Sequence, residues 1–106
     1  MVPEISPTSL QPLLAGEDAP LLLDVRETWE LRLAAVTGVL NIPMAQIPDR
    51  LEELGRDQKI VVMCHTGARS YQVAAFLKQS GFESVMNLAG GIAAWSREVD
   101  PTVPEY

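Results

Sequence analysis

Short apolar segments alternate with helix-like segments along the whole chain, and this alternation is the feature that most constrains the fold. Residues 20–25 (PLLLDV) and 59–64 (KIVVMC) are almost continuously apolar, as is typical of strands covered on both faces. Residues 39–42 (VLNI) and 85–88 (VMNL) predict two more strands, and residues 4–5 a minor fifth. The pattern predicts an α/β fold in three layers, with a mainly parallel sheet of about five strands between helices.

Helix-forming segments lie between these strands. They are predicted for a stretch that begins at Ser6 and Pro7, for residues 27–33, for the i, i+4, i+7 spacing of Ile47, Leu51 and Leu54, for residues 70–80, and for the stripe of Ile92, Trp95 and Val99. We interpret Trp29 and Trp95 as packing residues. The tail from Asp100, which contains Pro101 and Pro104, is expected to run extended over the surface.

Length and composition indicate one compact domain over residues 1–106. A chain of 106 residues with 47% hydrophobic side chains is near the commonest domain size and can form one modest core. The formal net charge of −6 argues against nucleic acid or an anionic membrane as a partner, because both require a basic surface.

The expected compartment follows from cysteine usage and from the distribution of apolar residues. No apolar run approaches the roughly 20 residues that span a bilayer, and the N-terminus lacks the charged-then-apolar layout of a signal peptide. The single cysteine excludes an intramolecular disulfide and any Cys-x-x-Cys motif. We therefore expect a reducing cytoplasm.

Three polar or glycine-rich stretches follow predicted strands. They are residues 24–27 (DVRE), 64–70 (CHTGARS) and 88–91 (LAGG). In parallel sheets, ligands bind beyond the carboxyl ends of the strands. The sequence therefore predicts that these three stretches converge on one site.

The stretch from Cys64 carries the predicted chemistry. A cysteine between a strand and a helix N-terminus faces unpaired N–H groups and the positive end of the helix dipole, which both favour the reactive thiolate. Gly67 can adopt a positive φ and let the loop curl into an anion nest, while Arg69 adds a permanent positive charge. The predicted anion-binding loop consists of His65, Thr66, Gly67, Ala68, Arg69 and Ser70.

Simpler interpretations of these residues stand beside the functional ones. Free cysteines are commonly buried for packing, and His65 is expected to be a surface side chain rather than a general base. Asp24 and Arg26 are expected to pair and hold the end of a strand. Gly90 and Gly91 are expected to allow a tight turn close to the cysteine loop. One cysteine and one histidine are too few soft ligands for a metal, so neither a metal nor a cofactor is predicted.

Four motifs together resemble the rhodanese family over essentially the whole chain. They are residues 24–27 (DVRE), 38–43 (GVLNIP), 64–70 (CHTGARS) and 88–95 (LAGGIAAW). Each motif alone is weak, but all four occur in the family order at ordinary spacings. One departure is Ala35, which occupies the position of a histidine in many family members.

The resemblance implies a sulfurtransferase. In the implied mechanism, the Cys64 thiolate takes sulfur from thiosulfate or a persulfide donor and passes it from a Cys64 persulfide to a thiol, cyanide or an acceptor protein. Arg69 would hold the sulfonate oxygens of the donor. The first alternative is a phosphatase or arsenate reductase of the same fold, although those relatives have a loop one residue longer than the four residues between Cys64 and Arg69. The second alternative is a non-catalytic rhodanese-like interaction module.

Overall fold

Five parallel strands form the central sheet of the protein. The computed structural model describes all 106 residues, and the strands lie in the spatial order β1-β5-β4-β2-β3. The strands are β1 (Glu4–Ile5), β2 (Leu21–Asp24), β3 (Leu40–Asn41), β4 (Ile60–Met63) and β5 (Val85–Leu88). The predicted α/β fold with a parallel sheet of about five strands is therefore confirmed.

The helices cover both faces of this sheet, as the apolar strand sequences predict. The α-helices are α1 (Pro7–Leu14), α2 (Thr28–Leu31), α3 (Ala68–Gln79) and α4 (Gly91–Glu98). Leu23 of β2 and Val62 of β4 are partners in the sheet and belong to a core cluster with Leu77 of α3. Their neighbours along the strands belong to a second cluster, which contains residues of α1 and α4. Alternate residues of the central strands thus pack into different layers.

Local sequence signals explain where the helices begin. The Ser6 side chain accepts a hydrogen bond of 3.2 Å from the Ser9 N–H, and Pro7 occupies the first helical position, so α1 has an ordinary capped start. Gly67 precedes α3 with a φ of 108°, a conformation that favours glycine. None of the helices combines the length and apolar character needed to cross a membrane, and the compartment stays a prediction.

One predicted helix is absent in the expected form. Ile47, Leu51 and Leu54 were expected to share an α-helical face, but the chain forms two short 3-10 helices there, Met44–Asp49 and Leu51–Glu53. Pro48 lies inside the first of them and has no N–H to donate to an α-helical hydrogen bond. Ile47 and Leu54 are nevertheless buried, so the apolar spacing marked core residues correctly and the helix type wrongly.

The C-terminal tail also differs from its prediction. Instead of running over the surface, the tail folds back. The buried Val103 side chain joins a core cluster, and its carbonyl accepts a hydrogen bond from the Ser96 hydroxyl. Tyr106 then reaches the strand ends, where its hydroxyl contacts Arg26. Polar and proline-rich composition predicted an exposed tail, whereas one apolar side chain and one tyrosine attach it to the fold.

The two tryptophans occupy different environments. Trp95 in α4 is buried, as predicted. Trp29 in α2 is 54% exposed, so its interpretation as a packing residue was wrong. Trp29 and the buried Glu30 belong to the same single-turn helix. A helix this short can turn only one side toward the core, and Glu30 occupies that side.

Burial predicts how unevenly the leucines contribute to stability. Leu23 is fully buried at the centre of the sheet, whereas Leu13 in α1 is 50% exposed. Leu23→Ala should lower the free energy of unfolding by about 2–5 kcal/mol, because it removes buried apolar contacts and leaves a cavity. Leu13→Ala, the matched control, should change it by no more than about 0.5 kcal/mol. Urea denaturation measures both values, and equal losses would contradict the assigned core.

Candidate active site

The Cys64 thiol lies in a hydrogen-bonded loop between β4 and α3. Cys64 is only 1% exposed. The Gly67 N–H donates to its Sγ at 3.1 Å, and the Ser70 Oγ lies 3.2 Å from the same sulfur. Burial raises the pKa of the thiol, but hydrogen bonds from the Ser70 hydroxyl and from the N–H groups of Ser70, Gly67 and Thr66 lower it. The net pKa lies below that of an ordinary cysteine. This environment favours a reactive thiolate.

The turn before α4 holds the backbone of this loop from the other side. The N–H of Ile92 donates to the carbonyl of Cys64 at 2.9 Å, and the N–H of Ala93 donates to that of His65 at 3.1 Å. Gly91 makes this approach possible, because a Cβ there would lie 2.4 Å from the His65 carbonyl oxygen. Gly90 and Gly91 both have a positive φ. The tight turn expected at these glycines is therefore present beside the cysteine loop.

Arg69 is paired with a carboxylate that the sequence analysis did not select. Its Nη1 and Nη2 donate to the Glu30 carboxylate at 2.7 and 3.0 Å. Glu30 is only 4% exposed. Hydrogen bonding from Arg69 is the main cause that lowers the pKa of Glu30 to about 2, against an opposing effect of burial. The guanidinium that was expected to face the sulfur donor is thus already neutralised by a buried carboxylate. Its Nε–H and its remaining Nη–H groups can still donate hydrogen bonds to another molecule.

Asp24 and Arg26 form the ion pair expected from the sequence. The Arg26 Nη2 and the Asp24 Oδ2 are 2.8 Å apart, and both side chains are fully buried. The Arg26 Nε also lies within 3.2 Å of both carboxylate oxygens, so each carboxylate oxygen of Asp24 has a charged donor. A buried pair of this kind is tolerated because its hydrogen bonds are satisfied. It fixes the end of β2 next to the cysteine loop.

Tyr106 connects the two ion pairs. Its hydroxyl accepts a hydrogen bond from the Arg26 Nη1 at 2.9 Å and donates one to the Glu30 Oε2 at 2.7 Å. Its ring stacks on the His65 imidazole, with ring centroids 4.0 Å apart and planes 6° from parallel. His65 is half-buried under this ring rather than free on the surface, and no hydrogen bond links it to Cys64.

The structure thus brings the predicted site residues together at one edge of the sheet. Thr66 and Ala68 lie exposed at the rim of the loop, while Ser70 is buried beneath it. The residues that sequence reasoning missed are Glu30, Asn87 and Tyr106. Glu30 alone had a local signal, since it lies three residues after Glu27 in a capping box.

One cavity of the fold lies apart from this loop. It has a volume of about 340 Å³, is lined by residues such as Pro20, Lys59 and Val85 near the amino ends of β2, β4 and β5, and contains no residue of the cysteine loop. No three His, Cys, Asp or Glu side chains come together in a way that could hold a metal ion. We therefore assign the candidate site from the geometry around Cys64 rather than from cavity size.

Comparison with known proteins identifies the family. Residues 6–98 match the rhodanese-like domain. The chain belongs to the rhodanese-like domain family. It is 43% identical over 103 residues to a sulfurtransferase from Allochromatium vinosum, covering 97% of this chain and 96% of that protein. It is 35% identical to the adenylyltransferase and sulfurtransferase MOCS3-1 of Zea mays, with 88% of this chain and 22% of that protein covered.

A solved structure supports the same assignment. This rhodanese-like chain superposes on a rhodanese-related protein from Thermoplasma volcanium with a TM-score of 0.85 and 32% sequence identity, over 98% of this chain and 99% of the other. The five-stranded parallel sheet is therefore a rhodanese-like fold, as the motif order predicted.

The Glu30–Arg69 pair predicts a specific loss of stability in acid. A carboxylate with a lowered pKa stabilises the folded state above its ordinary pKa, and this contribution is lost as the pH falls toward the folded value. For Glu30 this loss occurs between pH 4.5, the ordinary pKa, and about pH 2, the pKa in the folded protein. The difference in free energy of unfolding between wild type and Glu30→Gln should therefore be largest above pH 4.5 and should narrow toward pH 2, as measured by urea denaturation at each pH.

An exposed carboxylate provides the control for this experiment. Glu83 is exposed and has no ion-pair partner, so Glu83→Gln should not reproduce the profile. The same narrowing in both variants would mean that general acid titration, not the buried pair, causes it.

Proposed function

We propose that this rhodanese-like chain is a sulfurtransferase that carries sulfur as a persulfide on Cys64. The names of its relatives support sulfur transfer in general. The observation that carries the finer proposal is the contact of 3.1 Å from the Gly67 N–H to the Sγ of the only cysteine. N–H groups directed at this sulfur stabilise negative charge both on the thiolate and on a sulfur attached to it.

The proposed reaction consists of two displacements. The Cys64 thiolate attacks the outer sulfur of thiosulfate, a new S–S bond forms, and the old S–S bond breaks with its electron pair leaving on sulfite. In the second step, a thiolate or cyanide attacks the outer sulfur of the persulfide, and the Cys64 thiolate is released. Both steps conserve electrons and charge without any external oxidant or reductant. This is nucleophilic catalysis in which no general acid is required, because sulfite and thiolate leave as stable anions.

The burial of Cys64 supports a small transferred group. Because the residue is only 1% exposed, a donor reaches Sγ most easily with a terminal sulfur atom, as thiosulfate and persulfides both present. Four residues between Cys64 and Arg69 form a shorter loop than the phosphate- or arsenate-binding loops of the alternative enzymes. We therefore favour sulfur transfer over phosphate or arsenate chemistry. A non-catalytic module would have no use for a thiol whose pKa the loop lowers.

The first test of this proposal is sulfur loading of Cys64. Incubation with thiosulfate should increase the intact mass by one sulfur atom, and cyanide or a thiol should remove it. Cys64→Ser should take up no sulfur and transfer none, because the chain has no other thiol. Residual thiosulfate:cyanide sulfurtransferase activity in Cys64→Ser would contradict the persulfide mechanism.

The second test asks whether Arg69 binds the thiosulfate donor. Arg69→Ala alone would leave the buried Glu30 carboxylate without its partner and could disturb the loop. The informative comparison is therefore Glu30→Gln against the double variant Arg69→Ala/Glu30→Gln, which differ only in the guanidinium. If Arg69 binds the sulfonate oxygens, the double variant should use thiosulfate about 10- to 150-fold less efficiently, the range for one lost charge-assisted hydrogen bond.

A second donor separates binding from loop damage in this comparison. Loading from a small alkyl persulfide, which has no sulfonate oxygens, should fall far less than loading from thiosulfate. Equal losses with both donors would show that removal of Arg69 changes the loop itself and that the guanidinium does not recognise the donor.

A further inference from the structure

Asn87 of β5 lies beneath the cysteine loop and contacts two of the groups that hold the Cys64 sulfur. The residue is fully buried. Its Nδ2 donates to the Gly67 carbonyl at 3.1 Å and to the Glu4 Oε2 at 2.7 Å, and its Oδ1 lies 2.5 Å from the Ser70 Oγ. Gly67 and Ser70 are the residues whose N–H and hydroxyl approach Cys64. Asn87 therefore contacts both residues that approach the thiol, without contacting the thiol itself.

These contacts determine the orientation of the Asn87 amide. The Gly67 carbonyl can only accept a hydrogen bond, so the amide group that faces it and the Glu4 carboxylate must be the NH₂. The amide oxygen must then face Ser70. Because that oxygen can only accept, the hydrogen bond of 2.5 Å between them must be donated by the Ser70 hydroxyl.

A serine hydroxyl has a single hydrogen, yet two acceptors lie within reach of Ser70. One is the Asn87 Oδ1 at 2.5 Å and the other is the Cys64 Sγ at 3.2 Å. The hydrogen serves one of them at a time, and both contacts are short enough for a hydrogen bond. A neutral Cys64 thiol completes the chain, because its S–H can donate to the Ser70 oxygen while the hydroxyl donates to Asn87.

We infer that Asn87 is a positioning residue that competes with Cys64 for the single hydroxyl hydrogen of Ser70. When Cys64 ionises, the hydroxyl either turns to the sulfur and leaves the buried Asn87 oxygen without a donor, or stays and presents lone pairs to the thiolate. Each outcome costs free energy, since a buried polar group without a partner is unfavourable. Asn87 therefore favours the neutral thiol over the thiolate.

This competition has a consequence for the sulfur-loaded state, which rests on the proposed function. In a Cys64 persulfide, the negative charge lies on the outer sulfur, and the inner sulfur no longer needs the Ser70 hydrogen. The Ser70–Asn87 hydrogen bond can then remain while backbone N–H groups hold the outer sulfur. Asn87 thus disfavours the free thiolate relative to the sulfur-loaded state, which would help the domain to retain its sulfur.

The charged groups that face the loop are the same in the four proteins of the Ser70 and Asn87 cycle that tests this inference. Arg69 is close enough to interact with the charge on Cys64, Glu30 neutralises it, and Glu4 contacts Asn87 from the surface side. Their effects cancel in a double-mutant cycle that alters only Ser70 and Asn87.

The experiment measures the pH dependence of alkylation of Cys64, the only thiol, by iodoacetamide. The cycle consists of wild type, Asn87→Val, Ser70→Ala and the double variant. Asn87→Val removes the competing acceptor and frees the Ser70 hydrogen for the thiolate. The midpoint of the profile should therefore fall by roughly half to one pH unit, the equivalent of one net hydrogen bond. In the Ser70→Ala background, the same substitution should not produce this fall.

Controls separate this competition from a structural role. Asn87→Val also removes the contact with the Gly67 carbonyl, but that loss would shift the midpoint equally with and without Ser70. A fall of the same size in both backgrounds, or a midpoint that rises in Asn87→Val, would overturn the inference. Glu4→Gln retains an acceptor for the Asn87 amide and should leave the midpoint unchanged. Asn87→Ala provides the same comparison if the valine variant does not fold.

The readout is independent of the proposed function. Alkylation reports the ionisation of the thiol whether or not the protein transfers sulfur. If the alkylation midpoint shifts as expected but neither thiosulfate nor a persulfide loads sulfur, the sulfurtransferase proposal is contradicted and the role of Asn87 stands. Sulfur loading without the shift would support the sulfurtransferase proposal and contradict the role of Asn87.

Discussion

The site depends on the close backbone contact between the start of α4 and the cysteine loop. Two N–H groups of the first turn of α4 donate to the carbonyls of Cys64 and His65, and this occupies the acceptors of the loop on one side. The loop can then direct N–H groups such as that of Gly67 toward the sulfur. No side chain fits at Gly91 in this arrangement, because its Cβ would lie within 2.6 Å of both carbonyl oxygens. The conformation of the cysteine loop thus depends on a glycine that lies outside the loop.

A second layer of constraint comes from buried charge. Two guanidinium–carboxylate pairs, Arg26–Asp24 and Arg69–Glu30, lie beside the thiol and are joined by the hydroxyl of Tyr106. Removing one partner of such a pair leaves a buried charge without compensation, which costs far more than the pair contributes when intact. The network therefore resists partial change and ties β2, α2, α3 and the C-terminal tail to one geometry.

The same electrostatics shape what the thiol can do. Arg69 adds hydrogen-bond donors but little net charge, because Glu30 neutralises it. Stabilisation of the sulfur anion then comes mainly from backbone N–H groups, whose positions are fixed by the fold and do not depend on side-chain rotamers. A site of this kind favours a small polarisable anion on sulfur. It offers a less strongly positive environment than the Cys64 loop sequence alone suggested.

The sequence by itself determined the parts of this protein that local patterns encode. Apolar runs identified β2 to β5, Ser6 and Pro7 identified the start of α1, and the order of motifs identified the family and the loop around Cys64. These features depend on residues close together in the chain. Hydrophobic periodicity and turn chemistry suffice to predict the strands and the helix start, whereas the family was predicted from the resemblance of the motifs.

The tertiary structure decided the features that depend on contacts between distant segments. The partner of Arg69 is 39 residues away, and that of Asn87 in β1 is 83 residues away. Tyr106 reaches Arg26 across 80 residues, which tail composition could not indicate. Local propensity is a weak determinant where a side chain can gain a buried partner only after the sheet has assembled, and these residues are such cases.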